Sequence, residues 1–136
     1  MSLVIDASVT VAWSIGAERT EAVSAIFRQV TATGALVPQI WAIEVANALT
    51  AAMRRGRMTM TERGEALGVL SDLAIDLDPF TNRRAWSATL AFVDTYRLTA
   101  YNAAYLELAK RRSLPLATLD KELIRAAGDL NVPVLP

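Results

Sequence analysis

A short apolar run at the start of the chain is followed at once by an acid, and this stretch constrains the fold most strongly. The branched and aliphatic residues Leu3-Val4-Ile5 predict a strand buried on both faces, as in the middle of a parallel sheet covered by helices. Ligands of such sheets bind outside the carboxyl ends of the strands, which makes the next residue, Asp6, a candidate site residue. Asp6 and Ser8 can equally serve as a cap that accepts hydrogen bonds from the free N–H groups of the following helix.

Four further apolar stretches predict strands, and one of them also ends in an acid. The predicted strands are residues 35–37, 75–77, 114–119 and 132–135, and Asp120 follows the third of these. Predicted helices separate the strands, at residues 9–15, 19–33, 39–55, 59–73, 82–97, 101–112 and 121–131. Strands that alternate with helices predict an α/β fold with a parallel sheet of four to five strands and helices on both faces. We expect residues 1–136 to form one domain.

The composition excludes several kinds of chemistry. The chain has no cysteine and no histidine, so thiolate metal sites, cysteine nucleophiles and histidine bases are absent. Any metal must therefore be one that prefers oxygen ligands, such as Mg²⁺ or Mn²⁺. The net charge is +0, so any nucleic-acid binding must rest on local charges. No apolar run is long enough for a membrane span and no secretory signal precedes the first strand, which predicts a cytoplasmic protein.

Glu44 is the third acid that the pattern singles out. Its neighbours at helical spacing are mostly apolar, namely Ile40, Asn47, Ala48 and Ala51. A carboxylate on an apolar face needs a partner, and we expect Asn47, one turn further along the helix, to orient it.

Asp6, Glu44 and Asp120 together predict a cation site. Three clustered carboxylates repel one another unless a cation lies among them, which indicates a site for a divalent metal. Each acid also has a simpler interpretation, since Asp120 can cap the last helix and Glu44 can pair with an arginine.

Four segments of the chain form a pattern by their order and spacing. The segments are Val4-Ile5-Asp6-Ala7-Ser8, Glu44-Val45-Ala46-Asn47-Ala48-Leu49, Leu98-Thr99-Ala100-Tyr101-Asn102-Ala103-Ala104-Tyr105-Leu106 and Leu116-Ala117-Thr118-Leu119-Asp120. In this order they resemble the PIN-domain ribonucleases, and among these the VapC-type toxins of VapBC toxin–antitoxin pairs. The resemblance implies a single PIN-like domain that acts as a toxin-type endoribonuclease and cleaves RNA with Mg²⁺ or Mn²⁺ held by acids.

The resemblance also assigns the site residues. Asp6, Glu44 and Asp120 match three of the family's acid positions, and Thr118 matches a hydroxyl that is frequent there. Where the family usually has a fourth acid, this chain has Asn102, whose amide oxygen is a weaker ligand than a carboxylate. Asn102 is either a natural divergence or an engineered inactivation, and it predicts a weakened enzyme. Glu107, five positions further on, points to another face of the helix and cannot replace the missing acid.

The implied partners are an RNA substrate, either transfer RNA or ribosomal RNA, a VapB-type antitoxin whose segment lies across the acid site, and a second copy of the chain in a homodimer. Six basic residues are candidates for phosphate contacts or for solvated helix ends: Arg54, Arg55, Arg57, Lys110, Arg111 and Arg112. The main alternative is a catalytically inactive PIN domain that binds RNA or antitoxin without cutting. An aspartyl-phosphate phosphatase is disfavoured because Ser8 stands where those enzymes have a second Asp.

Overall fold

A five-stranded, fully parallel sheet organises the fold in the computed structural model, which describes residues 3–136. The strands are β1 (Val4–Ile5), β2 (Ala35–Val37), β3 (Ile75–Leu77), β4 (Leu116–Ala117) and β5 (Val134–Leu135). Their order across the sheet is β3-β2-β1-β4-β5. The first strand is therefore central, and its residues are fully buried, as the sequence predicts.

Eight α-helices connect the strands in the described part of the chain. They are α1 (Ala7–Ser14), α2 (Glu21–Thr33), α3 (Trp41–Arg54), α4 (Met60–Ser71), α5 (Thr81–Arg84), α6 (Ala88–Tyr96), α7 (Ala100–Arg112) and α8 (Lys121–Asp129). From β1 the chain adds strands on one side, and after β3 it returns to add β4 and β5 on the other. Right-handed crossovers in opposite directions place helices on opposite faces of the sheet. None of the helices described is long and apolar enough to cross a lipid bilayer.

The order of the strands brings the ends of β1 and β4 together. Val4 and Ile5 pair in parallel with Leu116 and Ala117, and the Asp6 N–H donates to the Ala117 carbonyl at 3.1 Å. Both strands therefore end at one edge of the sheet, which is the edge where the two predicted aspartates follow.

The prediction of one continuous helix at 82–97 is wrong. The structure has two helices there, and Trp86, one of the residues on which the prediction rested, lies between them with 90% of its surface exposed. Ser87 breaks the helix, because its backbone is not helical (φ −123°, ψ −97°) and its hydroxyl donates to the Arg84 carbonyl.

Other element boundaries differ from the predictions by a few residues. The strand predicted at 114–119 is only the two-residue β4, because its neighbours β1 and β5 are equally short. The end of α2 at Gly34 agrees with the sequence. Gly34 has φ +77°, and a Cβ atom there would lie 2.7 Å from the Ala74 carbonyl oxygen, so glycine is required at this position.

Candidate active site at the carboxyl edge of the sheet

Asp6 combines the two roles that the sequence left open. It is the N-cap of α1, where its Oδ1 accepts from the Val9 N–H at 3.1 Å and from the Ser8 hydroxyl at 2.6 Å. Its Oδ2 accepts from the Thr118 hydroxyl at 2.5 Å. Asp6 is 3% exposed, so it is both a helix cap and a buried acid at the end of the central strand.

Thr118 and Ser8 fasten the two strand ends to each other. Besides donating to Asp6, Thr118 Oγ1 accepts from the Asp120 N–H at 3.0 Å. Ser8 Oγ accepts from the Leu119 N–H at 2.9 Å, across the same junction. Asp120 is the N-cap of α8, so the simpler interpretation of this acid also holds. Through Thr118 the junction holds Asp120 near Asp6, and the charge of Asp120 therefore contributes to raising the pKa of Asp6.

Glu44 is oriented by Tyr105 and not by Asn47. The Tyr105 hydroxyl donates to Glu44 Oε1 at 2.6 Å, while Asn47 is exposed and makes no hydrogen bond to Glu44 within the described residues. The expectation about Asn47 is therefore wrong, as is the alternative of an arginine partner. Tyr105 is 1% exposed. A buried tyrosine hydroxyl needs a hydrogen-bond partner, so its place among apolar residues was a usable signal that the sequence analysis missed.

Burial and mutual repulsion make the negative charge of these acids unfavourable. Burial raises the pKa of Asp6, although the Ser8 and Thr118 hydrogen bonds oppose this. Burial also raises the pKa of Glu44, with a further contribution from the charge of Asp6. Among residues 3–136, no salt bridge reaches Asp6, Glu44 or Asp120. The edge thus holds three acids without a compensating basic side chain.

Asn102 lies in the first turn of α7, whose N-cap is Thr99. It is partly buried and stands three residues before Tyr105, so the two side chains share one side of the helix. The structure gives no contact between Asn102 and the acids, and its membership of the site stays a prediction. Glu107 faces elsewhere, as the sequence predicts, because Arg111 donates to both of its carboxylate oxygens.

The acids have the oxygen ligands that a divalent cation prefers, but they are not arranged as a complete set of ligands around one. Carboxylate and amide oxygens are ligands that Mg²⁺ prefers. However, the described residues contain no group of three acidic side chains placed to hold a metal together. Mg²⁺ is usually bound by one or two carboxylates, with water and substrate phosphates completing its shell. The arrangement fits that kind of open site, and it does not fit a cage made by the protein alone.

Several of the predicted phosphate contacts are engaged elsewhere. Lys110 Nζ donates to the Leu130 carbonyl at 3.0 Å. Arg111 is 15% exposed in its side chain and donates to both oxygens of Asp78, at 3.2 and 2.7 Å, as well as to Glu107. Its pKa is raised by these partners, so it is a structural cation that joins α7 to the end of β3. Arg57 pairs with Glu18. Arg54 and Arg55 are exposed and remain available as phosphate contacts.

The fold and the paired strand ends agree with comparisons to known proteins. The family model of the PIN domain matches residues 3–129, and the chain belongs to the PIN-domain family. Over 133 residues it is 31% identical to Ribonuclease VapC3 of Pyrobaculum aerophilum, a match that covers 98% of this chain and 100% of that protein. The expected resemblance to PIN-domain and VapC-type proteins is thereby confirmed.

Solved structures share the fold at lower identity. The crystal structure of PAE2754 from Pyrobaculum aerophilum superposes with a TM-score of 0.68 at 23% identity, covering 93% of this chain and 79% of that one. The crystal structure of FitAcB from Neisseria gonorrhoeae gives a TM-score of 0.61 at 16% identity and covers 98% and 96% of the two chains. Both confirm the single α/β fold.

Proposed function

We propose that this PIN-domain protein is a toxin-type, metal-dependent endoribonuclease that hydrolyses phosphodiester bonds of RNA. The observation that carries the proposal is the set of three acids, Asp6, Glu44 and Asp120, at the carboxyl edge of the sheet without a basic partner. Burying like charges costs free energy, and a bound cation offsets this cost. The likeness to a protein named as a ribonuclease supports RNA as the substrate.

In this proposal Asp6 and Asp120 would hold Mg²⁺ or Mn²⁺, with Glu44 on α3 and Asn102 on α7 as further ligands. The bound ion would make a coordinated water more acidic and stabilise charge on the leaving oxygen. Thr118 keeps Asp6 in one rotamer by donating to Oδ2. Tyr105 does the same for Glu44 and leaves Oε2 free for a ligand. The chain therefore needs no histidine for this chemistry.

Asn102 supports a second candidate, an inactive PIN domain that binds RNA or antitoxin without cutting. An amide supplies an oxygen but no charge, so a site with Asn102 holds a divalent cation more weakly than one with a fourth carboxylate. We propose weakened cleavage as the primary outcome, because three carboxylates remain at the proposed site.

A comparison of the native chain with Asn102→Asp tests both candidate functions. Without metal, the added charge should lower the melting temperature, because it increases repulsion among the acids. With Mn²⁺ in hundredfold excess over its dissociation constant, binding should add about 2.7 kcal/mol to the free energy of unfolding. RNA cleavage should also rise in Asn102→Asp. Equal metal response and equal cleavage in both proteins would show that position 102 is not a ligand.

The proposed partners follow from the same function. They are a transfer RNA or ribosomal RNA substrate, a VapB-type antitoxin that covers the acid site, and a second copy of the chain in a homodimer. We propose that the protein acts in the cytoplasm, where such RNA is found. Size-exclusion chromatography with light scattering, alone and with a co-expressed antitoxin, measures both protein assemblies.

A further inference from the structure

A small cavity lies beside the acid site and is formed by residues that the proposed reaction does not use. Its volume is about 130 Å³, and its walls come from the start of α3, from α5 and α6, and from the start of α7. Ile40, on its wall, stands one helical turn before Glu44, and Tyr101 stands next to Asn102. A group in this cavity is therefore a near neighbour of anything bound at the acids.

The walls combine an aromatic ring with polar groups that can form hydrogen bonds. Tyr101 lines the cavity and is 59% exposed, so its ring is accessible to a ligand. Asn82, also on the wall, carries both an amide donor and an amide acceptor. Such a combination is typical of sites that stack a nucleic-acid base and contact its edge.

Thr89 is the independent sign that a polar ligand belongs here. It is 4% exposed, and within residues 3–136 its hydroxyl has no hydrogen-bond partner. No side-chain polar atom in that part of the chain is both sealed from solvent and unpaired, so the hydroxyl must open to the cavity that Thr89 lines. A hydroxyl at the cavity wall that bonds to no other described part of the protein is free to donate to, or accept from, a ligand there.

The volume limits the size of the ligand. A protein cavity of about 150 Å³ accommodates one benzene molecule. The present cavity, at about 130 Å³, therefore accepts one six-membered ring and does not enclose a fused two-ring system. Among RNA bases, only the single-ring pyrimidines therefore fit fully inside it.

We propose that this cavity is a nucleobase subsite that selects a pyrimidine next to the cleaved phosphodiester bond. The base stacks on Tyr101, and its polar edge bonds to the Thr89 hydroxyl and the Asn82 amide. This inference rests on the proposed nuclease function, because it takes the RNA strand to run across the neighbouring acids. It adds the class of base that the enzyme prefers.

The first test measures binding in the absence of cleavage. Fluorescently labelled 2′-O-methyl octamers of uridine and of adenosine are titrated with the native chain in the presence of a chelator, which prevents metal-dependent cleavage. The native chain should bind the uridine octamer at least about fivefold more tightly, which corresponds to about 1 kcal/mol. Ala85→Met fills the cavity and Thr89→Val removes the hydroxyl, so each should reduce this preference to less than twofold. Thr95→Val, on an exposed part of α6, is the matched control and should keep it.

The second test reads the sequence at the cut. Random-sequence RNA is cleaved in Mn²⁺, and the new ends should be enriched in pyrimidine at one position, an enrichment that Ala85→Met loses. Cleavage without any base preference would overturn the subsite but leave the nuclease proposal intact. A uridine preference in binding, with no cleavage of RNA in Mn²⁺, would overturn the nuclease proposal but leave the base-binding subsite intact.

Two other results would also overturn the subsite. One is a uridine preference that survives in Ala85→Met. The other is a changed oligomeric state of Ala85→Met in light scattering, which would assign this face to a second copy of the chain.

Discussion

Replacing Asp6 separates its role as a helix cap from its role as a buried charge. Asp6→Ala removes both the cap of α1 and the acceptor of the Thr118 hydroxyl, which is 0% exposed. Loss of the cap costs about 0.5–2 kcal/mol. A buried hydroxyl left without its acceptor costs about 1–3 kcal/mol. Relief of the buried charge offsets part of this sum, so we expect a net loss of roughly 1–4 kcal/mol.

Asp6→Asn should behave differently. Asparagine caps helices about as well as aspartate, and its oxygen can keep the hydrogen bonds from Val9 and Ser8. The contact to Thr118 rearranges at a cost of about 1 kcal/mol, while the burial of a charge and its repulsion with Glu44 and Asp120 disappear. We therefore expect the metal-free stability of Asp6→Asn to stay within about 1 kcal/mol of the native value, or to rise.

The assay is unfolding by heat and by urea, first in a chelator and then in Mn²⁺. For a chain of this size, 1 kcal/mol corresponds to roughly 3–5 °C in melting temperature. The native chain should gain stability in Mn²⁺ and both Asp6 variants should not. Thr20→Ala, which removes the cap of α2 away from the acids, should cost about 1 kcal/mol and keep the Mn²⁺ response. Equal destabilisation by Asp6→Asn and Asp6→Ala would refute the reasoning, because the charge would then be a structural requirement.

Three further predictions concern the surroundings of the site. In a chelator, the raised pKa values of Asp6 and Glu44 mean that the folded state binds protons more tightly than the unfolded state does. The protonated acids therefore contribute stability fully below about pH 4, and this contribution is lost as pH rises through the raised pKa values. The double variant Asp6→Asn/Glu44→Gln should lack this part of the pH profile of stability, and an unchanged profile would contradict the prediction. Tyr105→Phe keeps the buried ring but frees Glu44, so calorimetry should show Mn²⁺ affinity reduced several-fold at nearly native stability, whereas unaltered affinity would leave Tyr105 a packing residue. Arg111→Met leaves the buried Asp78 without a basic partner and Glu107 with Arg84 alone, at 3.7 Å, so it should cost about 3–5 kcal/mol in urea unfolding. A loss below about 1 kcal/mol would show that the charges of the two acids are solvated.

Local signals in the sequence were enough to predict two of the strands and the edge of the sheet at which the two aspartates lie. The strands at 35–37 and 75–77 have the predicted bounds, because a glycine or a proline closes each apolar run. Asp6 follows β1 directly and Asp120 lies three residues after the neighbouring strand β4, since a parallel sheet brings the carboxyl ends of its strands to one edge.

Contacts between distant residues were not predictable in the same way. Glu44 and Tyr105 are 61 residues apart, and only the packing of α7 against the site brings the hydroxyl to the carboxylate. The bidentate pair of Arg111 and Asp78 spans 33 residues, and in the sequence Arg111 is one of three consecutive basic residues at a helix end. The helix break at Ser87 escaped prediction because apolar spacing cannot distinguish one curved helix from two short ones.

The central claim is that the acids at the carboxyl edge of the sheet cut RNA with a bound divalent metal. Its most direct measurement incubates total RNA and Mn²⁺ with the native chain and with Asp120→Asn, followed by sequencing of all new RNA ends. Asparagine preserves the cap of α8, so the variant should stay folded and lose only its charge. The account predicts discrete new ends with the native chain that require Mn²⁺ and are absent with Asp120→Asn. The same ends at the same yield from both proteins, or ends that persist in a chelator, would contradict it.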